Sequence, residues 1–297
     1  DNWLLPALYA VAVDSRVLAQ AAEANETLII TLQKAFKFTL NHKCEDTARS
    51  KKWGTVFIIN QLFKAYFQAG LNNLRGCKPL INAVESRSFY PLEHFPLSHT
   101  VTFNYYRGRL ALFEDQFRAA DQYLTYAFEN CSRAPSASRN LRRIVQSLVP
   151  VKLHLGVLPS ASLLAKYNLQ LFLPICDAIR TGNVKLFKTA MATHRSVFIR
   201  CGMYLILEKL EPLVYRALFR RVYVGDVVCL IRADTRISLE DFRVALAFVG
   251  VDMDMDELEC IVANLRFKNL LKGYVSHAKA TLVTAPKNMF PNVASVA

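Results

Sequence analysis

The stretch that decides the fold is residues 273–284, Gly-Tyr-Val-Ser-His-Ala-Lys-Ala-Thr-Leu-Val-Thr. Its two halves, 273–277 and 280–284, contain Tyr, Val and Thr, which favour strands, and only two residues separate them. Two short β-prone runs with a tight connection are typical of a β-hairpin. The sequence therefore predicts a hairpin near the end of the chain.

The elements before this hairpin complete a small module. A helical stretch from Lys209 to Val224 is followed by a β-prone stretch at Arg236-Ile237 and then by two closely spaced helices. The first of these begins at Ser238 and the second covers Met255 to Phe267. Helix, helix and hairpin in this order predict a winged helix over residues 209–297.

The preceding residues, 1–208, are predicted to be helical throughout. Apolar residues with a period near 3.6 predict helices over 51–69 and 71–86, and a helix pair over 97–113 and 117–131. Gly108, Ala120 and Ala127 match a degenerate tetratricopeptide signature, in which small residues let two antiparallel helices approach closely. The predicted fold is therefore mainly α: a right-handed α-solenoid of such helix pairs followed by a C-terminal winged helix.

Breaks between the predicted helices come from local signals. Gly70 is expected to end the helix over 51–69, and Ser132 to Ser138 form the most linker-like stretch. Further breaks are predicted at Pro150 and at Thr181-Gly182-Asn183, where the Asn is a helix N-cap.

Composition narrows the class of protein. The 297 residues are 53% apolar, which suffices for a substantial core, and no apolar run of eighteen or more residues lacks charges. A membrane partner is therefore not expected. The seven cysteines are scattered without a Cys-x-x-Cys pair, which indicates reduced thiols in an intracellular compartment.

Positive charge is concentrated in one region. The net charge is +13, and residues 131–200 contain eleven Lys or Arg against the single acid Asp177, whereas residues 209–297 contain twelve basic and ten acidic residues. A local excess of this size attracts a polyanion. The alternative is a set of solvated helix faces whose long side chains cover apolar surface.

Signatures of catalysis are missing from the sequence. It has no phosphate-binding loop, dinucleotide fingerprint, nucleophile elbow or His-Glu-x-x-His motif, and its six histidines are dispersed. We therefore assign no catalytic residue, metal ligand or cofactor and expect a protein that is not an enzyme.

Basic residues of the winged helix could instead contact nucleic acid. The helix from Met255 follows Asp252 and Asp254 and continues with further acids, which opposes base reading through that end. A sequence-independent phosphate patch is predicted from the remaining basic residues, namely Arg216, Arg220, Arg221, Arg266, Lys268, Lys272, His277 and Lys279. The alternative is a surface that contacts only partner subunits, with these cations complementing helix C-termini.

Blocks along nearly the whole chain resemble one family. They are Asn2-Trp3 with Tyr9 to Asp14, Ser50 to Gly54, Asn60 to Lys64, Cys77 to Ile81, Tyr105 to Arg109, Phe198 to Gly202, Glu208 to Leu210 and Lys272 to His277. With helical repeats before a winged helix, they resemble the PCI domain, and within it the PCI protein of the nuclear transcription-and-export complex two or its signalosome-subunit-twelve-like paralogue. Residues 22–50 are shorter than the family pattern, and residues 86–98 are unlike it.

The resemblance implies a nuclear, non-enzymatic scaffold that acts in mRNA export. It would pair its winged helix with that of a larger PCI subunit, hold a small acidic subunit shared with the proteasome lid, and bind RNA or DNA. We infer from the basic stretch that the acidic subunit contacts Arg139, Arg142, Arg143, Lys152, Arg195 and Arg200, although nucleic acid could occupy the same residues.

Other hypotheses stay open at this point. The paralogous complex in splicing and transcription, or a proteasome-lid or signalosome-type scaffold without a nucleic-acid role, would use the same fold. A sequence-specific DNA-binding regulator would also contain a winged helix, but the acidic start of the Met255 helix opposes it.

Overall fold

The computed structural model describes residues 2–43, 46–68, 71–225, 236–284 and 288–296, which form two compact units, 1–144 and 145–297. The predicted helix end at Gly70, and Cys44 and Cys229, lie outside the described residues. The helices are α1 (Leu5–Ala21), α2 (Asn25–Leu40), α3 (Thr55–Gln68), α4 (Cys77–Glu85), α5 (Leu97–Phe113), α6 (Phe117–Asn130), α7 (Ser138–His154), α8 (Ala161–Lys166), α9 (Leu173–Thr181), α10 (Val184–Thr193), α11 (Arg195–Arg200), α12 (Tyr204–Glu208), α13 (Glu211–Val224), α14 (Leu239–Phe248), α15 (Met255–Phe267) and α16 (Val293–Val296). The strands are β1 (Arg236–Ser238), β2 (Gly273–Ser276) and β3 (Thr281–Thr284).

Helix α3 is the centre of the first unit, and it packs against α1, α2, α4 and α5. Its side chains are buried on nearly every face, and the rings of Phe63 and Phe103 lie 5.8 Å apart in the core. The predicted helix over 51–69 begins instead with a 3-10 turn, Lys51–Gly54, and becomes α-helical at Thr55.

Helices α5 and α6 form the predicted close pair. A Cβ placed on Gly108 would lie 2.7 Å from Cγ of Leu124, so a larger residue does not fit there without a shift. Ala120 and Ala127 are fully buried in α6. The small residues of the repeat signature therefore lie where the two helices approach.

The N-terminal helical stretch has the length and apolar composition of a membrane span, which the sequence prediction did not expect. Residues Asn2–Ala21 form one helix long and apolar enough to cross a membrane by length and composition alone. The sequence prediction required a run without charges, and this stretch contains two, Asp14 and Arg16. Leu5 and Ala12 of this helix are buried, and the ring of Tyr9 lies 4.0 Å from that of Phe57 in α3.

Helix α7 continues through Pro150, so the predicted break at this residue is wrong. Proline removes one helical hydrogen bond and disfavours the helix by about 3 kcal/mol. Val149, Val151 and Leu153 are all buried around it. Burial of these side chains offsets the free-energy cost of the proline, so the helix continues through it.

The turn between α9 and α10 has the predicted caps. Gly182 has φ +75° and ends α9, and the Asn183 side chain accepts a hydrogen bond from the Leu186 amide at 2.9 Å. A Cβ on Gly182 would lie 2.4 Å from the backbone nitrogen of Leu218, so this turn rests directly on α13.

The C-terminal elements form the winged helix. The antiparallel sheet has the order β1-β3-β2, with Ile237 opposite Leu282 and Tyr274 opposite Val283. Ile237 and Leu282 are buried, and α13 packs against both α14 and α15. Ser238 and Asp254 cap α14 and α15 through hydrogen bonds from the amides of Glu240 and Glu257.

The predicted fold class is confirmed: helical repeats precede a C-terminal winged helix. Helices α5 and α15 have their predicted bounds, and β2 and β3 are the predicted hairpin. The predicted boundary lies at residue 208, whereas the two compact units divide between residues 144 and 145. The division into residues 1–208 and 209–297 therefore stays a prediction.

Candidate nucleic-acid and partner interface

A basic cavity lies along one face of α13. Its volume is about 400 Å³, and its charged lining is Arg180, Arg216, Arg220 and Arg221, with no acid among its lining residues. The rest of the wall is apolar and includes Leu158, Leu213 and Val293. The structure therefore brings three of the predicted nucleic-acid residues together at one site.

Arg216 is also a structural residue. Its Nη2 donates to the backbone carbonyl oxygens of Phe290, at 3.4 Å, and of Pro291, at 2.6 Å. Burial lowers the pKa of Arg216, and the positive charge of Arg220 lowers it further. Its Nε is buried without a hydrogen-bond partner in the described structure. Arg216 thus tethers the C-terminal segment as well as lining the cavity.

The other arginines of the cavity differ in exposure. Arg220 is exposed, and Arg221 is half-buried and donates to the Thr181 carbonyl oxygen at 2.9 Å. Arg180, at the end of α9, pairs with Asp177 at 3.2 Å. Sequence reasoning did not assign Arg180 to this site. Arg180 directly precedes the predicted turn Thr181-Gly182-Asn183, which contacts Arg221 through the Thr181 carbonyl oxygen.

A second basic group lies at the end of α15 and on the hairpin. Its members are all exposed: Arg266, Lys268, Lys272, His277 and Lys279. His277 Nδ1 lies 2.9 Å from a carboxylate oxygen of Glu259. The hydrogen bond and charge of Glu259 raise the pKa of His277. This ion pair links the hairpin to α15 and favours the charged imidazole.

The predicted acidic-partner residues fall in both compact units. Arg139, Arg142 and Arg143 are exposed in the first turns of α7, and that turn contains no acid. Lys152 is half-buried near the end of the same helix. Arg195 and Arg200 are exposed on α11, where the Arg195 guanidinium lies 5.8 Å from the Tyr204 ring centre. Of the six residues, only Arg139, Arg142 and Arg143 are neighbours at the end of one helix.

The winged helix also exposes large apolar side chains that sequence reasoning missed. Phe248 of α14 is 82% exposed and Phe267 of α15 is 86% exposed. Val244 and Tyr274 are also more than half exposed. Contiguous exposed apolar patches mark interaction surfaces, so these side chains are candidates for a partner contact. Helical periodicity could have identified Phe267, because it lies outside the buried apolar stripe of Leu258, Val262 and Leu265.

Among the residues that the structure describes, no three His, Cys, Asp or Glu side chains are grouped so as to hold a metal ion. The thiols of Cys77 and Cys176 are buried, and burial raises their pKa values to about 12 and about 11. Neither is poised as a thiolate nucleophile at neutral pH.

Comparison with known proteins identifies the class. The PCI domain model matches residues 191–285, which contain α11 to α15 and the three strands. The chain is 40% identical over 312 residues to PCI domain-containing protein 2 of Xenopus laevis, covering 100% of this chain and 75% of that protein. It is 41% identical over 304 residues to the Drosophila melanogaster homologue of that protein, covering 99% and 74%.

A fungal relative is also similar. The chain is 32% identical over 312 residues to the protein CSN12 homologue of Yarrowia lipolytica, covering 99% of this chain and 76% of the relative. The chain therefore belongs to the PCI domain family, in the group that includes PCI domain-containing protein 2 and the CSN12 homologue. The predicted family is confirmed, and proteins of this family are scaffold-type subunits of complexes with other PCI-type subunits.

Proposed function

We propose that this chain is a non-enzymatic PCI subunit of a nuclear complex that couples transcription to mRNA export. Its winged helix docks side by side with that of a larger PCI subunit. The observation that carries the proposal is the exposure of the large apolar side chains Phe248 and Phe267 on the winged helix. A docked partner would remove both rings from water.

Nucleic-acid binding is the second part of the proposed function. The cavity on α13 and the basic end of α15 hold cations suited to phosphate, and Asp256 and Glu257 lie in the first turn of α15, at its opposite end. Such an arrangement favours contacts to the backbone of RNA or DNA over base reading. Binding is expected to weaken steeply with salt and to depend little on sequence.

The small acidic subunit is the third part. The exposed arginines at the start of α7 place positive charge at the positive end of a helix dipole, which is unfavourable for the isolated chain. An acidic segment bound there would relieve this repulsion. We retain Lys152, Arg195 and Arg200 as further candidate contacts for the same subunit.

The alternative is the paralogous complex that acts in splicing and transcription, and the similarity to the CSN12 homologue supports it. Both complexes would use the same surfaces with different large partners. Purification of the tagged chain from native nuclear extract, followed by mass spectrometry, distinguishes them by the large PCI partner that is recovered. Recovery of no PCI protein would contradict the scaffold role itself.

A further inference from the structure

A second cavity, in the helical unit, has a different character from the one on α13. Its volume is about 370 Å³, and helices α3, α5 and α7 contribute to its wall. The lining combines apolar, neutral polar and cationic side chains, with no Asp or Glu: Lys64, Leu97, Ser98, Val101, Thr102, Tyr105, Tyr106, Asn130, Cys131, Ser132, Ala137, Asn140, Arg143 and Ile144.

Lys64 and Arg143 line this cavity, and Arg16 lies close to them. Burial lowers the pKa of Lys64, and the charges of Arg16 and Arg143 lower it further, which places all three cations within electrostatic reach. Within the described ranges, the Lys64 ammonium makes no hydrogen bond or ion pair. A bound anion favours the charged form of a half-buried cation such as Lys64.

Arg109 is a further cation near this cavity, and one of its atoms lacks a hydrogen-bond partner. Burial raises the pKa of Tyr106 to about 12, and the charges of Arg109, Arg143 and Arg16 act in the opposite direction, so Arg109 belongs to the same cationic group. The Nε atom of Arg109 is buried without a hydrogen-bond partner in the described structure.

The neutral part of the wall suits a nucleobase. Tyr105 supplies an aromatic ring, and Leu97 and Val101 extend the apolar surface. Asn130 and Asn140 carry amides that can both donate to and accept from the edge of a base, and Ser98 and Thr102 add hydroxyls. An acidic peptide would need the cations but would make little use of two amides beside an aromatic ring.

We propose that this cavity binds a nucleoside phosphate, with the base against Tyr105 and the phosphate at Lys64 and Arg143. The ligand is either a free nucleotide or one unit of single-stranded RNA. Aromatic stacking with a cationic groove is the general solution for such ligands. The site is separate from the winged helix and shares only Arg143 with the surface proposed for the acidic subunit.

Calorimetric titration of the whole chain with AMP, with inorganic phosphate and with a short single-stranded RNA tests this site. AMP is expected to bind more tightly than phosphate, and Lys64→Met is expected to weaken AMP binding about tenfold. Thr102→Trp, which fills the cavity without a change of charge, is expected to abolish it. Lys34→Met, at an exposed lysine of α2, is the matched control and should bind AMP normally.

The outcomes separate the sources of the ligand. Competition between AMP and RNA for one site, lost in Thr102→Trp, identifies a nucleotide of RNA, whereas AMP binding without competition identifies a free nucleotide. The proposal is overturned if AMP does not bind, if phosphate binds equally well, or if Thr102→Trp leaves AMP binding unchanged. It is also overturned if an acidic peptide binds through Lys64 while AMP does not. Circular dichroism checks that each variant is folded.

Discussion

The guanidinium of Arg216 donates to the carbonyl oxygen of Pro291 at 2.6 Å, although the two residues lie 75 positions apart in the chain. The sequence prediction placed Arg216 in a nucleic-acid surface, and the structure adds a hydrogen bond that holds the C-terminal segment. The two roles predict different consequences for variants of neighbouring arginines on α13.

Replacement of Arg216 is expected to lower stability. Arg216→Ala removes a charge-assisted hydrogen bond and leaves the carbonyl oxygens of Phe290 and Pro291 without this donor, which costs about 1–3 kcal/mol. Urea denaturation measures the loss. Arg220→Ala is the matched control, because Arg220 is exposed on the same helix. Equal stability of the two variants would contradict the structural role of Arg216.

Charge reversal at Arg220 is expected to weaken RNA binding without loss of stability. Arg220→Glu places a carboxylate in a cavity that otherwise contains arginines. Fluorescence anisotropy with a labelled RNA should show lower affinity and a salt dependence reduced by about one phosphate contact. Lys34→Glu, in the helical unit, carries the same change of charge and should have no such effect. Normal RNA binding by Arg220→Glu would exclude the α13 face.

Local signals predicted much of this fold, and tertiary contacts explain the errors. The helix over Met255–Phe267 has its predicted bounds, and the acids before it lie at the positive end of its dipole. Pro150 inside α7 could not be predicted from local signals, because burial of Val149, Val151 and Leu153 offsets its cost. The link from Arg216 to Pro291 is likewise invisible to a local pattern, since it depends on how the C-terminal segment returns to α13.

The sequence also predicted only part of the candidate surfaces. Charge counting identified the cations of α13, α15 and α7, but composition does not reveal which cations share a cavity. Lys64 and Arg16 were not assigned to any site, because each is a single basic residue in its own helix. Only the packing of α1, α3 and α7 residues places them near Arg143.

Enlargement of Gly108 is expected to destabilise the helical unit. In Gly108→Val, the new Cβ lies at 2.7 Å from Cγ and 3.2 Å from the backbone nitrogen of Leu124, which is fully buried and cannot swing into solvent. Overpacking of this kind costs about 1–3 kcal/mol. Thermal denaturation measures it, and Gln122→Val on the exposed face of α6 is the control. An unchanged melting temperature for Gly108→Val would contradict the close approach of α5 and α6.

The His277–Glu259 pair predicts a pH dependence of definite sign. The folded-state pKa of His277 is raised above its ordinary value of 6.5. The pair therefore contributes stability that is fully present below pH 6.5 and is lost as the pH rises through the raised pKa. An NMR titration of the His277 ring in Glu259→Gln should give a pKa closer to 6.5. The same pKa in both proteins would show that Glu259 is not the cause.

The most direct test of the scaffold role is partner recovery with the winged-helix surface altered. The tagged chain and its Phe248→Asp, Phe267→Asp double variant would each be purified from nuclear extract, with Gln122→Asp on α6 as a control variant. The wild-type chain and the control are expected to recover a larger PCI protein, and the double variant is expected to lose it while staying folded. Retention of that PCI protein by the double variant, or its absence from the wild-type chain, would contradict the account.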